Sequence, residues 1–113
     1  MLVKPNVYAD FSAQSFLRST RALAVTLREW LEWYPEKVLF GSDAYAEELA
    51  GATAPLANWE EKTWLGSRTS RDALAIALTG MMKDGQVTHT EAVALARLVL
   101  RGNAERLYGL GAR

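Results

Sequence analysis

The segment Lys37-Val38-Leu39-Phe40-Gly41-Ser42-Asp43-Ala44 carries the side chain best placed to do chemistry. A short apolar run, Val38 to Phe40, enters a glycine turn that presents one carboxylate, Asp43. Enzymes built on α/β barrels put catalytic groups at the carboxyl ends of buried strands. A carboxylate there can ligate a metal ion or take a proton. The same Gly-Ser-Asp triplet is also ordinary turn chemistry, which leaves a solvated turn aspartate as the other reading. Asp10 and Ser12 close an earlier extended segment and could line the same mouth, although the favoured role for Asp10 is a hydrogen bond with a neighbouring loop backbone. The chain has one histidine, His89, and no cysteine. A divalent catalytic ion uses about three protein ligands, so Asp43 reads as one end of an active site without the rest.

The remaining candidates have structural readings beside their chemical ones. His89 follows Thr88 at the start of a helix and reads as a surface residue, with no second histidine to form a metal pair. Trp30 and Trp33 lie on a helical pattern and suit packing, whereas Trp59 or Trp64, beyond the strand-end loop, could border a ligand pocket. Met81 and Met82 suit core filling. No phosphate-binding loop, dinucleotide fingerprint or serine nucleophile elbow is present. With 13 basic and 13 acidic side chains the formal net charge is zero, so no basic stripe calls for nucleic acid. No cysteine means no disulfide and no thiolate zinc site. Neither a signal-type apolar segment nor an apolar run of ~18 residues is visible, and a cytoplasmic protein is expected.

The elements that would position Asp43 follow from the pattern. In residues 6–12, Val7, Ala9 and Phe11 alternate with Tyr8, Asp10 and Ser12, which predicts a strand. Residues 19–33 predict a helix, with Leu23, Leu27, Trp30, Leu31 and Tyr34 on one face and Pro35 as its stop. Lys37 to Phe40 predicts a second strand, apolar on both faces. Strand, helix and strand with short joints make a right-handed βαβ unit with parallel strands, and the fold class is α/β. Residues 43–56 read as a loop broken by Gly51 and Pro55, with a weak helical turn at 46–50. Residues 58–64 read as a short helix capped by Asn58, and Thr69 as the cap of a longer one that ends at Gly85. Thr88 and Glu91 match a capping box, and that helix runs to about Gly102. Asn103 reads as the cap of a last turn closed by Gly109.

Three pieces stand in order: Asn6 to Ser12, Pro35-Glu36-Lys37-Val38-Leu39-Phe40-Gly41-Ser42-Asp43-Ala44, and Asn103-Ala104-Glu105-Arg106-Leu107-Tyr108-Gly109-Leu110. Together they resemble the C-terminal end of the metal-dependent amidohydrolases, in the amidohydrolase-related branch that also includes aromatic-acid decarboxylases. The resemblance implies a (β/α)8 TIM barrel. Residues 6–12 would be strand seven, 19–33 helix seven and 37–40 strand eight, and the helices from Asn58 onward would close the barrel. The whole chain, residues 1–113, is then one partial domain, roughly the C-terminal quarter to third of the barrel. The family's aspartate after strand eight binds the metal and handles a proton, and only Asp43 matches it. The His-x-His pair after strand one and the ligands on the middle strands have no counterpart here.

The resemblance therefore implies a parent enzyme that is a metal-dependent hydrolase, or a non-oxidative decarboxylase, acting on a small molecule. Zinc or manganese would serve the complete enzyme, and none is expected on this chain alone, which is expected to be inactive. The expected partner is the missing N-terminal barrel portion, or a second copy of the chain. Self-association would follow if Val7, Phe11, Val38, Leu39 and Phe40 met water, since burying each such side chain is worth ~1.5–3 kcal/mol. A different class stays open: a non-catalytic helical module that binds a partner or itself through an uncovered apolar face.

Overall fold

The computed structural model describes residues 1–44 and 55–111, without the side chains of 55–57. Two strands, β1 (Ala9–Asp10) and β2 (Val38–Leu39), pair in parallel with Ala9 opposite Val38 and Asp10 opposite Leu39. Between them run a short helix α1 (Gln14–Leu17), a longer helix α2 (Thr20–Trp33) and a 3-10 turn (Pro35–Lys37). After β2 come α3 (Pro55–Lys83), α4 (His89–Arg97), a π-helical turn (Leu98–Gly102) and α5 (Asn103–Tyr108). The expected strand-helix-strand unit is present. Its first strand is two residues long, where the alternation over residues 6–12 predicted seven.

Helix α2 forms as its sequence dictates. The Ser19 hydroxyl accepts from the Ala22 amide at 3.3 Å, a side-chain cap. Leu23, Ala24, Leu27 and Leu31 make one buried stripe, and Pro35 prevents a further turn. Against this stripe lies α3, whose buried line is Gly66, Ser70, Ala73, Leu74, Ala77, Leu78 and Met81. Alanines and glycines on that line let the two helices approach closely. A Cβ on Gly80 would lie 3.0 Å from Arg28 Nη1, so the Arg28 side chain crosses α3 at the one residue that leaves room. From there Arg28 reaches Asp84 at 2.5 Å and Gln86 at 2.7 Å while holding Glu32 at 2.9 Å.

Three local expectations are corrected. The short helix at residues 58–64 and the helix opened by Thr69 are one continuous helix of 29 residues, about 44 Å long at 1.5 Å per residue. Pro55 is its first residue, where a missing N–H costs nothing, and not a loop breaker. Asn103 is no surface cap. It is fully buried, and its amide donates to the carbonyls of Pro35 at 2.8 Å and Val38 at 2.9 Å. The weak helical turn at residues 46–50 lies outside the described residues.

Gly85 does end α3. With φ of +71° it sits where only glycine is unstrained, Gly85 N–H donates to the Met82 carbonyl, and Gln86 N–H donates to the Met81 carbonyl, a Schellman stop. The capping box at Thr88 is also present: Glu91 N–H donates to Thr88 Oγ1 at 3.3 Å, and Thr88 N–H donates to Glu91 Oε2 at 2.7 Å. The core holds Phe11, Leu23, Leu27, Val38, Leu74 and Val99, each at most 2% exposed. Phe11 and Phe40 meet edge to face with ring centroids 5.9 Å apart. Of the side chains on which self-association was expected, Phe11, Val38 and Leu39 are buried within the chain, and Val7 and Phe40 are half-buried.

Candidate active-site mouth at the strand ends

Parallel pairing puts the carboxyl ends of β1 and β2 at one end of the sheet; Asp10 ends β1 with Ser12 just beyond it, and Ser42 and Asp43 lie in the turn after β2. Asp10 Oδ1 accepts from Ser12 N–H at 2.8 Å, a local turn that directs the chain from β1 into α1. Ser15 Oγ donates to the Ser12 carbonyl at 2.9 Å, which fixes the start of α1 on the same turn.

Gly41 joins the two strand ends. A Cβ there would stand 2.9 Å from Ser12 Cβ and 3.1 and 3.2 Å from the two Asp10 carboxylate oxygens. The β1 turn rests on the bare Gly41 backbone. On the other side, Gly66 of α3 leaves the Ser42 carbonyl its place, since a Cβ on Gly66 would lie 3.1 Å from that oxygen. Ser42 is held between these two glycine contacts, and its hydroxyl accepts from Ala44 N–H at 3.4 Å.

Asp43 comes next and is exposed, with φ of +53°. It is the one non-glycine residue at positive φ among the described residues. Aspartate enters this left-handed region more readily than most residues, at a cost of ~1–3 kcal/mol when the surroundings enforce it. The turn directs Asp43 away from the buried β2 and into solvent at the strand ends. Asp10 is likewise exposed. Gly41 of the Gly-Ser-Asp turn lies against Asp10 and Ser12, and Asp10 makes the local backbone hydrogen bond that was its favoured reading.

The amino end of β2 is held separately. Lys37 Nζ donates to the carbonyls of Leu2 and Lys4, each at 2.6 Å, and lies 5.7 Å from the Tyr34 ring centroid. Arg106 Nη2 donates to the Glu36 carbonyl at 2.7 Å and to Asn103 Oδ1 at 3.1 Å. These groups are committed to the amino end of β2.

The other sequence candidates fall elsewhere. His89 is the first residue of α4 and lines an apolar groove of about 250 Å³ between α3 and α4, with Leu74, Leu78, Met82 and Val93. Trp59 and Trp64 line a shallow hollow of about 430 Å³ made wholly of α3 residues, where the Arg68 guanidinium lies 5.2 Å from the Trp64 ring centroid. Nothing from β1 or β2 lines that hollow. Sequence reasoning missed Gly66, which fell in the break expected between two helices and instead packs inside α3 against the Ser42 carbonyl.

The protein-family model described as "Amidohydrolase" matches residues 1–110. The chain belongs to the amidohydrolase family. Protein fluG of Emericella nidulans is 31% identical over 109 residues, an alignment that takes in 96% of this chain. The chain spans 11% of the length of that relative. No solved structure matches it. Asp43 stands exposed beyond β2 in this amidohydrolase-family chain. Among the described residues there is no group of three or more His, Cys, Asp or Glu that could hold an ion. No helix among them is long and apolar enough to cross a membrane.

Proposed function

We propose that this chain is the C-terminal part of an amidohydrolase-like (β/α)8 barrel, with β1 and β2 as the last two strands, and that it supplies one wall of the active site of a hydrolase acting on a small molecule. Asp43 is the residue it contributes. In the assembled site its carboxylate is one oxygen ligand of the divalent ion that this family generally uses, and it takes the proton released in the reaction. The remaining ligands come from outside these residues, and the described ones do not fit a complete site. Non-oxidative decarboxylation is the same site's other reaction class, since both need a carboxylate that handles a proton.

The observation that carries this reading is the left-handed Asp43, exposed directly beyond a fully buried strand at the carboxyl end of a parallel pair. Strain of this kind is retained where a side chain must point in a set direction. The partner that completes the site is the rest of the barrel, with cytoplasmic location as the working expectation.

The test has two arms. The 113-residue chain is assayed with zinc or manganese against ester, lactone and amide panels and shows no turnover above buffer. The chain joined to the histidine-bearing part of its barrel turns over substrate, and Asp43→Asn lowers kcat by about 10²–10⁴ with a fall in bound metal. Turnover by the chain alone that Asp43→Asn abolishes would refute the shared-site reading. An assembled enzyme indifferent to Asp43→Asn would refute the role given to Asp43.

A further inference from the structure

We propose that residues 99–103 form a releasable cap on the outer edge of β2, so that cap closure and the addition of another strand at that edge exclude each other. The inference takes from the barrel reading only the source of the added strand, the neighbour of β2 on the side away from β1.

The argument starts from backbone direction. Phe11 N–H donates to the Leu39 carbonyl, so the Leu39 peptide groups face β1. Successive residues of a strand turn their backbone groups to opposite edges. The groups of Val38 and Phe40 therefore face outward, where a further strand would pair. Both sides of that edge are occupied: Asn103 Nδ2 donates to the Val38 carbonyl at 2.9 Å, and Phe40 N–H donates to the Val99 carbonyl at 3.3 Å. One side-chain amide and one helix carbonyl thus stand where a neighbouring strand would place its own N–H and C=O.

The helix gives up a regular bond to do this. In an α-helix Asn103 N–H would donate to Val99, four residues back. Here it donates to Leu98, five back, which defines the π turn and leaves the Val99 carbonyl free for Phe40. Single π turns are rare. Return to the α register pairs Asn103 N–H with the Val99 carbonyl, withdraws that oxygen from Phe40, and turns Asn103 by about 100° about the helix axis. The cap is therefore a two-register element. The closed register satisfies the edge in cis and the open register offers it to a strand.

Amide hydrogen exchange by NMR on the full chain tests this. In the wild-type protein, Phe40 and the amides of α5 exchange through a common opening, about tenfold faster than Leu27 and Leu31 in α2. In Asn103→Leu, which keeps bulk but removes the donors, Phe40 exchange rises by about another tenfold with Leu27 and Leu31 unchanged. With the cap gone, a second copy of the chain serves as strand probe. Phe40 protection returns as concentration is raised, in step with the sedimentation mass. The proposal is overturned if wild-type Phe40 exchanges only with global unfolding, if Asn103→Leu leaves Phe40 unchanged, or if the freed edge gains neither protection nor mass by ~1 mM. Should Asn103→Leu not fold, the wild-type comparison of Phe40 with α2 decides alone. Asp43→Asn changes none of these readouts, so failure here leaves the catalytic reading standing, and failure there leaves the cap.

Discussion

Gly41→Ala should destabilise the chain by about 1–2 kcal/mol, and the reason is local to the candidate site. Gly41 is not among the positive-φ residues, so alanine meets no backbone penalty there. Its effect on the unfolded chain would favour folding by ~0.4–1 kcal/mol. Against this stands the clash. The new methyl carbon would lie 2.9 Å from Ser12 Cβ, where carbon atoms prefer ~3.5–4.0 Å. Ser12 Cβ cannot rotate away, because it is fixed to the backbone. The Asp10 oxygens at 3.1 and 3.2 Å are at the end of a side chain, but Oδ1 is tied to Ser12 N–H at 2.8 Å. Relief therefore requires the two strand ends to part, and overpacking of this sort costs ~1–3 kcal/mol, which exceeds the gain. Urea unfolding of Gly41→Ala, Ser12→Gly and the double variant measures it. Ser12→Gly removes the 2.9 Å contact, so the alanine should cost at least ~0.5 kcal/mol less in that background. Equal penalties in both backgrounds, or a Gly41→Ala chain as stable as its parent, would show that the strand ends do not rest on one another.

Thr88→Ala should lose ~0.5–2 kcal/mol in thermal or urea unfolding through the capping box, whereas exposed His89→Ala should stay within ~0.5 kcal/mol of the parent. The Thr88 backbone N–H, followed by its hydroxyl, holds the Glu91 carboxyl below its ordinary value. A lowered folded value means that this stabilisation is present above the unfolded carboxyl pKa and is lost as pH falls through the folded one, so Glu91→Gln should flatten the acid limb of stability. Glu32 is lowered by Arg28 first and Gln86 second. By the same sign its contribution disappears on acidification, and Arg28→Met should raise the Glu32 pKa in a carbon-detected NMR titration. Ser70 Oγ is buried without a hydrogen-bond partner among the described residues, so Ser70→Ala should be neutral or stabilising by up to ~1 kcal/mol, read from the unfolding midpoint.

Helix α2 and both ends of the α3–α4 connection were legible because their causes are local. Ser19, Pro35, Gly85 and the Thr88–Glu91 box act within a few residues of the structure they specify. The β1 strand was overread because alternation at Val7, Ala9 and Phe11 marks which faces can be buried, not how many residues find a partner. β2 offers two residues, and β1 is no longer than that. The break predicted within residues 58–69 failed for the opposite reason. Asn58 and Thr69 are good caps in isolation, but a single helix buries Gly66, Ser70, Ala73 and Ala77 in one line, and that packing outweighs the local preference for a turn.

Asp43 could be singled out as a candidate from sequence because a carboxylate after an apolar strand and a glycine is a short-range pattern. Asn103 could not be read correctly, because its partners Pro35 and Val38 are 68 and 65 residues away. An asparagine at a helix start reads as a cap until those carbonyls are in view. The two residues nevertheless belong to one problem. A parallel pair of two-residue strands makes too few backbone bonds to fix the direction of anything attached to it. With the cap on β2 closed, as in this structure, the direction of Asp43 is therefore set by what grips β2 from outside the sheet. Asn103, Arg106 and Lys37 hold its amino end, Val99 holds Phe40, and Gly41 and Gly66 seat the turn beyond it. None of these groups takes part in the proposed chemistry, yet a change at any of them should reach the carboxylate. In a chain whose sheet is this small, the positioning of a strand-end carboxylate rests mainly on helix-to-strand contacts, which span long sequence separations and leave little trace in local pattern.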